Sequence, residues 1–210
     1  YADAIEKQFI ARDMKWNLLH NLTSVDIEKK IAIFDKHWEE QGAFDKDLNE
    51  YEKVTKHLNV EVPFDFLHVT PPQKAPDEIG KSPIGSAKGW VPVEKETLQH
   101  VKYKNIFAIG DVAAVPMAKT GGSVRKQYKV LVDNLISLME GKELTAKYGG
   151  YTVCPLITDI GKVMLAEFDW TAKPTPSFPL DPTQERYIWW LLKVYLLKPM
   201  TQYGMLSGKA

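Results

Sequence analysis

Residues 105–127, NIFAIGDVAAVPMAKTGGSVRKQ, constrain this chain more than any other stretch. Ile106, Phe107, Ala108 and Ile109 form a nearly continuous apolar run, which predicts a short strand buried on both faces. Gly110 and Asp111 end it. Open α/β sheets bind ligands at the carboxyl ends of such strands. There a glycine permits close approach, and a carboxylate accepts hydrogen bonds from sugar or polyol hydroxyls. After a short loop, Thr120-Gly121-Gly122 opens a helix expected to run to about Met139. Val124, Tyr128, Leu131, Leu135 and Leu138 mark its apolar face, and Gly141 closes it. Its first backbone N–H groups form a site for an anion, or for a carbonyl that gains negative charge. An ordinary strand–loop–helix crossover has the same pattern, so the pattern alone leaves both readings open.

Around this stretch the chain reads as α/β. Residues 1–12 resemble the end of a helix, with Ile5, Phe9 and Ile10 on one face. Because it begins inside that helix at Tyr1, the chain is expected to be a piece of something longer. Residues 16–25 and 30–36 predict two strands joined by a polar turn at 26–29. Residues 37–59 are charged and lack an apolar period, which suggests a surface excursion. Residues 60–69 predict another strand, with Pro63 at its start or on an edge. Residues 70–89, with four prolines and three glycines, predict a loop. Residues 150–168 read as a hairpin turning at 159–161, and Pro174, Pro176, Pro179 and Pro182 as a stiff connector. A last helix is expected to start at Asp181 as N-cap, with Pro182 in first position and Glu185 in the first turn.

Formal charge balances at 27 basic against 27 acidic residues, which gives no argument for nucleic acid. The single cysteine excludes an internal disulfide. Cys154 sits in YTVCPLIT, where a lone cysteine is often a small buried hydrophobe. Pro155 removes a backbone donor beside it and points instead to a strand rim. Both readings stand. The five histidines form no metal-ligand spacing and no second cysteine completes a zinc site, so no metal is expected. They read as structural or surface groups, with His68 the one to test as a proton carrier. Near the C-terminus, RYIWWLLKVYLLKPM is too short to span a bilayer and is interrupted by Lys193. Its paired tryptophans, tyrosines and flanking Arg186, Lys193 and Lys198 suit a helix lying in the headgroup region. A core helix is the alternative.

Taken together, FLHVTPPQKAP (66–76), GWVPVEKETLQH (89–100), the GD stretch, GYTVCPLIT, KVMLAEFD and the aromatic tail resemble the C-terminal half of the sulfide:quinone oxidoreductases. These are membrane-associated flavoproteins of the disulfide-reductase class. The resemblance implies the C-terminal part of a flavoprotein with two Rossmann-like dinucleotide domains, binding FAD and NAD(P), plus a membrane-associated helical tail. On it, residues 1–100 belong to the second dinucleotide domain and 101–145 to the FAD domain, while 146–210 hold the redox hairpin and tail. FAD is the implied cofactor. Sulfide, a membrane quinone and the membrane surface are the implied partners, with a peripheral, monotopic location and a homo-oligomer allowed. Cys154 matches one of the two redox cysteines. Gly110 and Asp111 match the ribityl-binding pair, Lys119, Thr120 and Gly121 the segment at the flavin's pyrimidine edge, and Pro71 and Pro72 a loop beside the isoalloxazine. For the last, a plain structural turn is an equal alternative. Phe168, Tyr195 and Tyr203 are candidates for a quinone channel.

The family's N-terminal glycine fingerprint and its other redox cysteine have no counterpart here. Thiol–disulfide exchange needs two sulfurs. The 210-residue chain by itself is therefore expected neither to hold FAD tightly nor to turn over sulfide. Two rivals remain open: a type II NADH:quinone dehydrogenase, which needs no cysteine at position 154, and a non-catalytic membrane-binding module.

Overall fold

Hairpins and one long helix organise the computed structural model, which describes residues 1–117 and 119–208. The chain divides into two compact units. One is Phe9–Pro72; the other joins Tyr1–Gln8 to the chain from Gln73 onward. The architecture is mixed α/β with small sheets. The boundary between the units falls inside the first helix, α1 (Ala2–Ala11).

The smaller unit is an antiparallel three-stranded sheet in the order β1 (His20–Asp26), β2 (Ile31–Asp45), β3 (Glu50–Pro63). Asp26 closes the first turn by accepting from the Lys29 N–H at 2.9 Å. Asp45 does the same in the second, accepting from Asp47 and Leu48 at 2.8 and 3.2 Å. Such side-chain turns need only a short polar residue at the strand end. Residues 37–59 are therefore no surface excursion but most of a long hairpin. The period-2 signal is missing because β3 is exposed on both faces nearly throughout, so no apolar alternation is required of it. Cross-strand pairs hold the register instead: the Phe44 and Tyr51 rings lie 5.0 Å apart, and Lys53 meets Glu39 at 3.4 Å. The strand expected over 60–69 ends at Pro63, and residues 64–76 have no regular structure.

In the larger unit the run 106–109 forms no strand. Its only ladder contact among the described residues is the bridge of Phe107 to Gln99. Ala108 is buried, while Ile106, Phe107 and Ile109 are half-buried. A parallel strand needs a neighbour along its length, and none runs beside this segment. Around it, Val91, Val93, Leu98, Ala113, Val115 and Tyr148 complete a core. The loop expected over 70–89 contains one short helix, α2 (Asp77–Lys81).

The predicted helix is present as α3 (Gly121–Met139), closed by Gly141 at φ +69°. Its packing is the reverse of the expectation. Its three buried residues are Ser123, Gln127 and Asn134. Val124, Tyr128, Leu131 and Leu138 are only half-buried, and Leu135 is exposed. The helix is held by hydrogen bonds from its buried polar residues, with Val130 half-buried against the core beside them. Asn134 donates to the Thr97 and Ala146 carbonyls at 3.0 and 2.9 Å and accepts from the Ala146 N–H at 3.1 Å.

The hairpin of β4 (Thr152–Asp159) and β5 (Lys162–Phe168) turns through Gly161 at φ +76°. Val163 and Leu165 from β5 pack on Trp189 in a second core. The C-terminal helix starts later than expected. Asp181 spends its carboxylate on the Thr183 N–H and hydroxyl, at 2.9 and 2.7 Å, closing a local turn instead of a helix. Helical structure begins with α4 (Tyr187–Leu191) and widens into π turns at Leu192–Leu196 and Met200–Gly204. Between these lies α5 (Leu197–Pro199), and a 3₁₀ turn ends the segment at Met205–Ser207. Pro199 lacks an N–H and collides with a regular i−4 carbonyl, which a π turn relieves.

Replacing Asn134 by Ala removes a buried side chain's bonds to two carbonyls and one N–H of half-buried residues. Urea unfolding is expected to show a loss of roughly 2–4 kcal/mol.

Candidate functional site

Most residues singled out in the sequence lie in the larger unit, around the first turn of α3. Gly110 opens a 3₁₀ turn, Gly110–Val112, in place of a strand end. Its φ of +68° is a left-handed conformation that favours glycine. Its N–H donates 2.8 Å to the buried Gln127 Oε1, which ties the turn to α3. Asp111 is consequently displayed with its carboxylate exposed. It lines a cavity of about 200 Å³ with Gln73, Lys74, Trp90 and Val112 among its walls.

Lys119 Nζ donates to the backbone carbonyls of Asp111 and Ala113, at 2.5 and 2.9 Å. It also lies 3.8 Å from the centre of the Trp90 ring, a cation–π contact. Burial pulls the Lys119 pKa down, and the Asp111 charge partly offsets this. The lysine therefore braces the turn around Asp111.

Thr120 is the N-cap of α3, its Oγ1 accepting from the Ser123 N–H at 3.2 Å. The same oxygen lies 3.3 Å from Thr152 Oγ1, a link from the helix start to β4. Beside it, a Cβ on Gly122 would fall 2.1 Å from Val153 Cγ1, so this glycine allows the strand to close against the helix. A Cβ on Gly121, by contrast, would meet nothing within 4 Å. Space is thus open at the Gly121 Cα, next to the strand that carries Cys154.

Cys154 is exposed. The rim reading suggested by Pro155 holds over the buried-hydrophobe reading. The residue pairs with Ala166 across the hairpin, one step from the pair of Val153 with Glu167.

Glu167, at 1 % exposure, is the group that the sequence did not single out. Its Oε1 accepts from the Tyr151 and Ser177 hydroxyls, each at 2.6 Å, and its Oε2 from the Ser177 N–H at 2.9 Å. A buried carboxylate is tolerable only when hydrogen-bonded in this way. It fastens the proline connector and the start of β4 onto β5. Burial first, and then the adjacent Glu167 carboxylate, push the Tyr151 phenol up to about 12. Sequence offered a faint cue: an acid in the otherwise apolar KVMLAEF strand.

The remaining candidates are dispersed. Pro71 and Pro72 end the smaller unit, exposed and without regular structure. His68 is exposed there as well. His100 is structural: buried, it accepts from the Lys102 and Tyr103 N–H groups through Nδ1 and lies 3.1 Å from the Ile84 carbonyl through Nε2. No cluster able to hold a metal occurs among the described residues. Phe168 packs edge-on against Tyr1 at 5.3 Å, while Tyr195 and Tyr203 stand exposed on the C-terminal helix.

These residues fit part of a flavin site. An exposed carboxylate beside a cavity suits a polyol chain, and the start of a long helix suits an anionic ring edge; Gly110 shapes the turn between them, with Val124 of α3 lying 3.3 Å from where its Cβ would be.

No protein-family model matches the chain. It is similar to three curated proteins, each named mitochondrial sulfide:quinone oxidoreductase. Identity is 39 % over 208 residues with that of Mus musculus, 35 % over 210 residues with that of Dictyostelium discoideum, and 36 % over 200 residues with that of Schizosaccharomyces pombe. The matches cover 99, 100 and 92 % of this chain but only 43, 42 and 40 % of the relatives. The chain therefore spans about two fifths of their length. A chain in the cryo-EM structure of the Tetrahymena thermophila mitochondrial ATP synthase, an F1Fo composite tetramer, superposes with a TM-score of 0.70. That likeness covers 96 % of this chain and 45 % of the other at 21 % identity, and concerns the fold alone.

Tyr151 holds its proton more tightly folded than unfolded. The associated stability is present in full below pH about 10 and is lost as pH rises toward about 12. Urea unfolding from pH 8 to 12 should show the wild-type chain losing more stability over this window than Tyr151→Phe.

Proposed function

We propose that this chain, which belongs with the sulfide:quinone oxidoreductases, is the C-terminal portion of an enzyme that oxidises sulfide and passes two electrons to a membrane quinone. The observation that carries the proposal is the exposed Cys154, on a strand packed against the amino end of α3. A thiol in that position can meet both a soluble sulfur species and a cofactor ring held at the helix start.

FAD, when bound, supplies the two-electron acceptor. Asp111, presented by the left-handed turn at Gly110, would hold the ribityl hydroxyls. The amides of Gly121 and Gly122 would face the pyrimidine edge, where helix polarity favours negative charge. Thr120 caps and orients that helix start. Lys119 contributes by fixing the Asp111 turn, and its charge adds to the positive field there. This half-site descends from Rossmann-like dinucleotide domains, with residues 1–100 from the second domain, 101–145 from the FAD domain and the remainder forming the redox hairpin and tail.

Sulfide chemistry requires Cys154 as one sulfur of an exchanging pair. Attack by HS⁻ on the oxidised pair leaves a persulfide on one cysteine and a thiolate on the other, with two electrons to be passed on. The other sulfur lies outside this chain, whose only cysteine is Cys154. A solvent-facing thiol gives sulfide direct access, and Val153 against Gly122 holds its strand on the helix.

The C-terminal helix supports a monotopic, peripheral arrangement. Tyr187, Ile188, Tyr195, Leu196, Tyr203 and Leu206 are all more than half exposed. Lys193 and Lys198 lie among them, as in helices that rest in a headgroup layer. Among the described residues no helix is long and apolar enough to cross a membrane. Phe168, Tyr195 and Tyr203 are proposed to border the quinone's entry.

In the full-length enzyme, Cys154→Ser should lower sulfide-dependent quinone reduction by at least a thousandfold while leaving bound flavin in place. Unchanged turnover would favour an NADH:quinone dehydrogenase instead. Tyr195→Glu combined with Leu196→Glu should reduce flotation of the full-length protein with anionic vesicles several-fold; an unaltered profile would assign the tail to packing.

A further inference from the structure

The helix at the centre of the candidate site is amphipathic in the wrong sense for the chain that carries it. Every residue α3 buries is polar, namely Ser123, Gln127 and Asn134. On the opposite side Val132, Leu135, Ile136 and Met139 recur at the i, i+3, i+4, i+7 spacing of a packed face. They are 43, 37, 50 and 79 % exposed. The half-buried Leu131 and Leu138 widen the face on one side. No other described element covers it.

We infer that this face of α3 is an interface for the part of the full-length polypeptide that lies outside this chain. The inference rests on the reading of the chain as a portion of a longer oxidoreductase, and it names a partner for the helix that shapes the site. More than half of each curated relative lies beyond the matched stretch, which is enough chain to supply an apolar surface. The alternatives fit less well. Along one edge the exposed Asp133 and Glu140 are matched by the exposed Lys126 and Lys129, so the edge carries no net charge, whereas a helix resting on anionic lipid carries an excess of cations there. A face that continues from the site helix's open first turn also suits a permanent partner: covering its far half would fix the helix without obstructing Gly121. The polar ladder holds α3 to its own chain, and the apolar face would hold it to the rest.

The test uses this chain and, produced separately, the remaining part of the same gene's polypeptide, followed by sedimentation velocity without flavin or sulfide. A one-to-one complex is expected, weakened at least tenfold by Ile136→Glu and little changed by Ile136→Val. Val101→Glu, at an exposed apolar site outside α3, should leave it unchanged. If circular dichroism shows that Ile136→Glu does not fold, Met139→Ser replaces it, with a weakening of several-fold expected. Cys154→Ser should associate like wild type, so failure of the sulfide reading would not be mistaken for failure of the interface. The inference is overturned by the absence of a complex or by a complex indifferent to these α3 substitutions. A self-dimer through Ile136 that persists when the remaining part is present, or vesicle binding that depends on Ile136 and persists likewise, overturns it equally.

Discussion

The hydrogen bond from the Gly110 N–H to Gln127 Oε1 is the contact on which the site depends. It joins a turn with no ladder of its own to a 19-residue helix, inside a region where an unpaired amide would be costly. Through it the left-handed Gly110 is held, and through Gly110 the carboxylate of Asp111 faces outward. Lys119 adds a brace from the other side, closing the same turn through two carbonyls. The three buried polar residues of α3 each have an assignment along the helix. Ser123 meets the cap, Gln127 the turn, and Asn134 the segments at Thr97 and Ala146. A polar ladder fixes position more sharply than an apolar stripe, because hydrogen bonds are directional and packing contacts are not.

The hairpin is placed by the same kind of logic. Thr120 and Thr152 face each other at 3.3 Å, Val153 fills the space that Gly122 leaves, and Glu167 gathers Tyr151 and Ser177. Cys154 is on the open side of a strand whose neighbours are all committed. Its exposure follows from the alternation of the strand: Val153 faces the helix, so the next side chain turns away from it. A thiol presented by a fixed strand needs little rearrangement to react.

What could be read in the sequence was what local chemistry decides. The cap at Thr120, the closing Gly141, the hairpin turn at Gly161 and the side-chain turn at Asp26 follow from residues acting within a few positions of themselves. The failures share one cause: they are segments whose form depends on neighbours. Ile106 to Ile109 look like a parallel strand, but a strand is defined by partners, and this chain provides a single bridge at Phe107. Residues 37–59 look structureless because a ribbon exposed on both faces carries no burial period. Asp181 and Pro182 look like a helix start, yet Thr183 captures the carboxylate first. Cys154 was legible as a rim residue only through Pro155. Glu167 was nearly silent, because the groups that satisfy it come from Tyr151 and the connector, beyond the reach of any local pattern.

The apolar face of α3 joins these observations. Val124, Tyr128, Leu131, Leu135 and Leu138 mark a face expected to be buried, and within this chain four of them are half-buried and Leu135 is exposed. The run 106–109 has the same defect, with apolar side chains on both faces and no strand beside it. Two adjacent elements, both shaped for burial and both incompletely covered, are what remains when a sheet-and-helix layer is divided along the chain. On the proposed function, the groups that the chemistry needs would be divided in the same way: one sulfur, one helix start and the Asp111 carboxylate here, the rest elsewhere. The two proposals then have one cause in common, since the polypeptide that would cover α3 is the one that would also complete the cysteine pair.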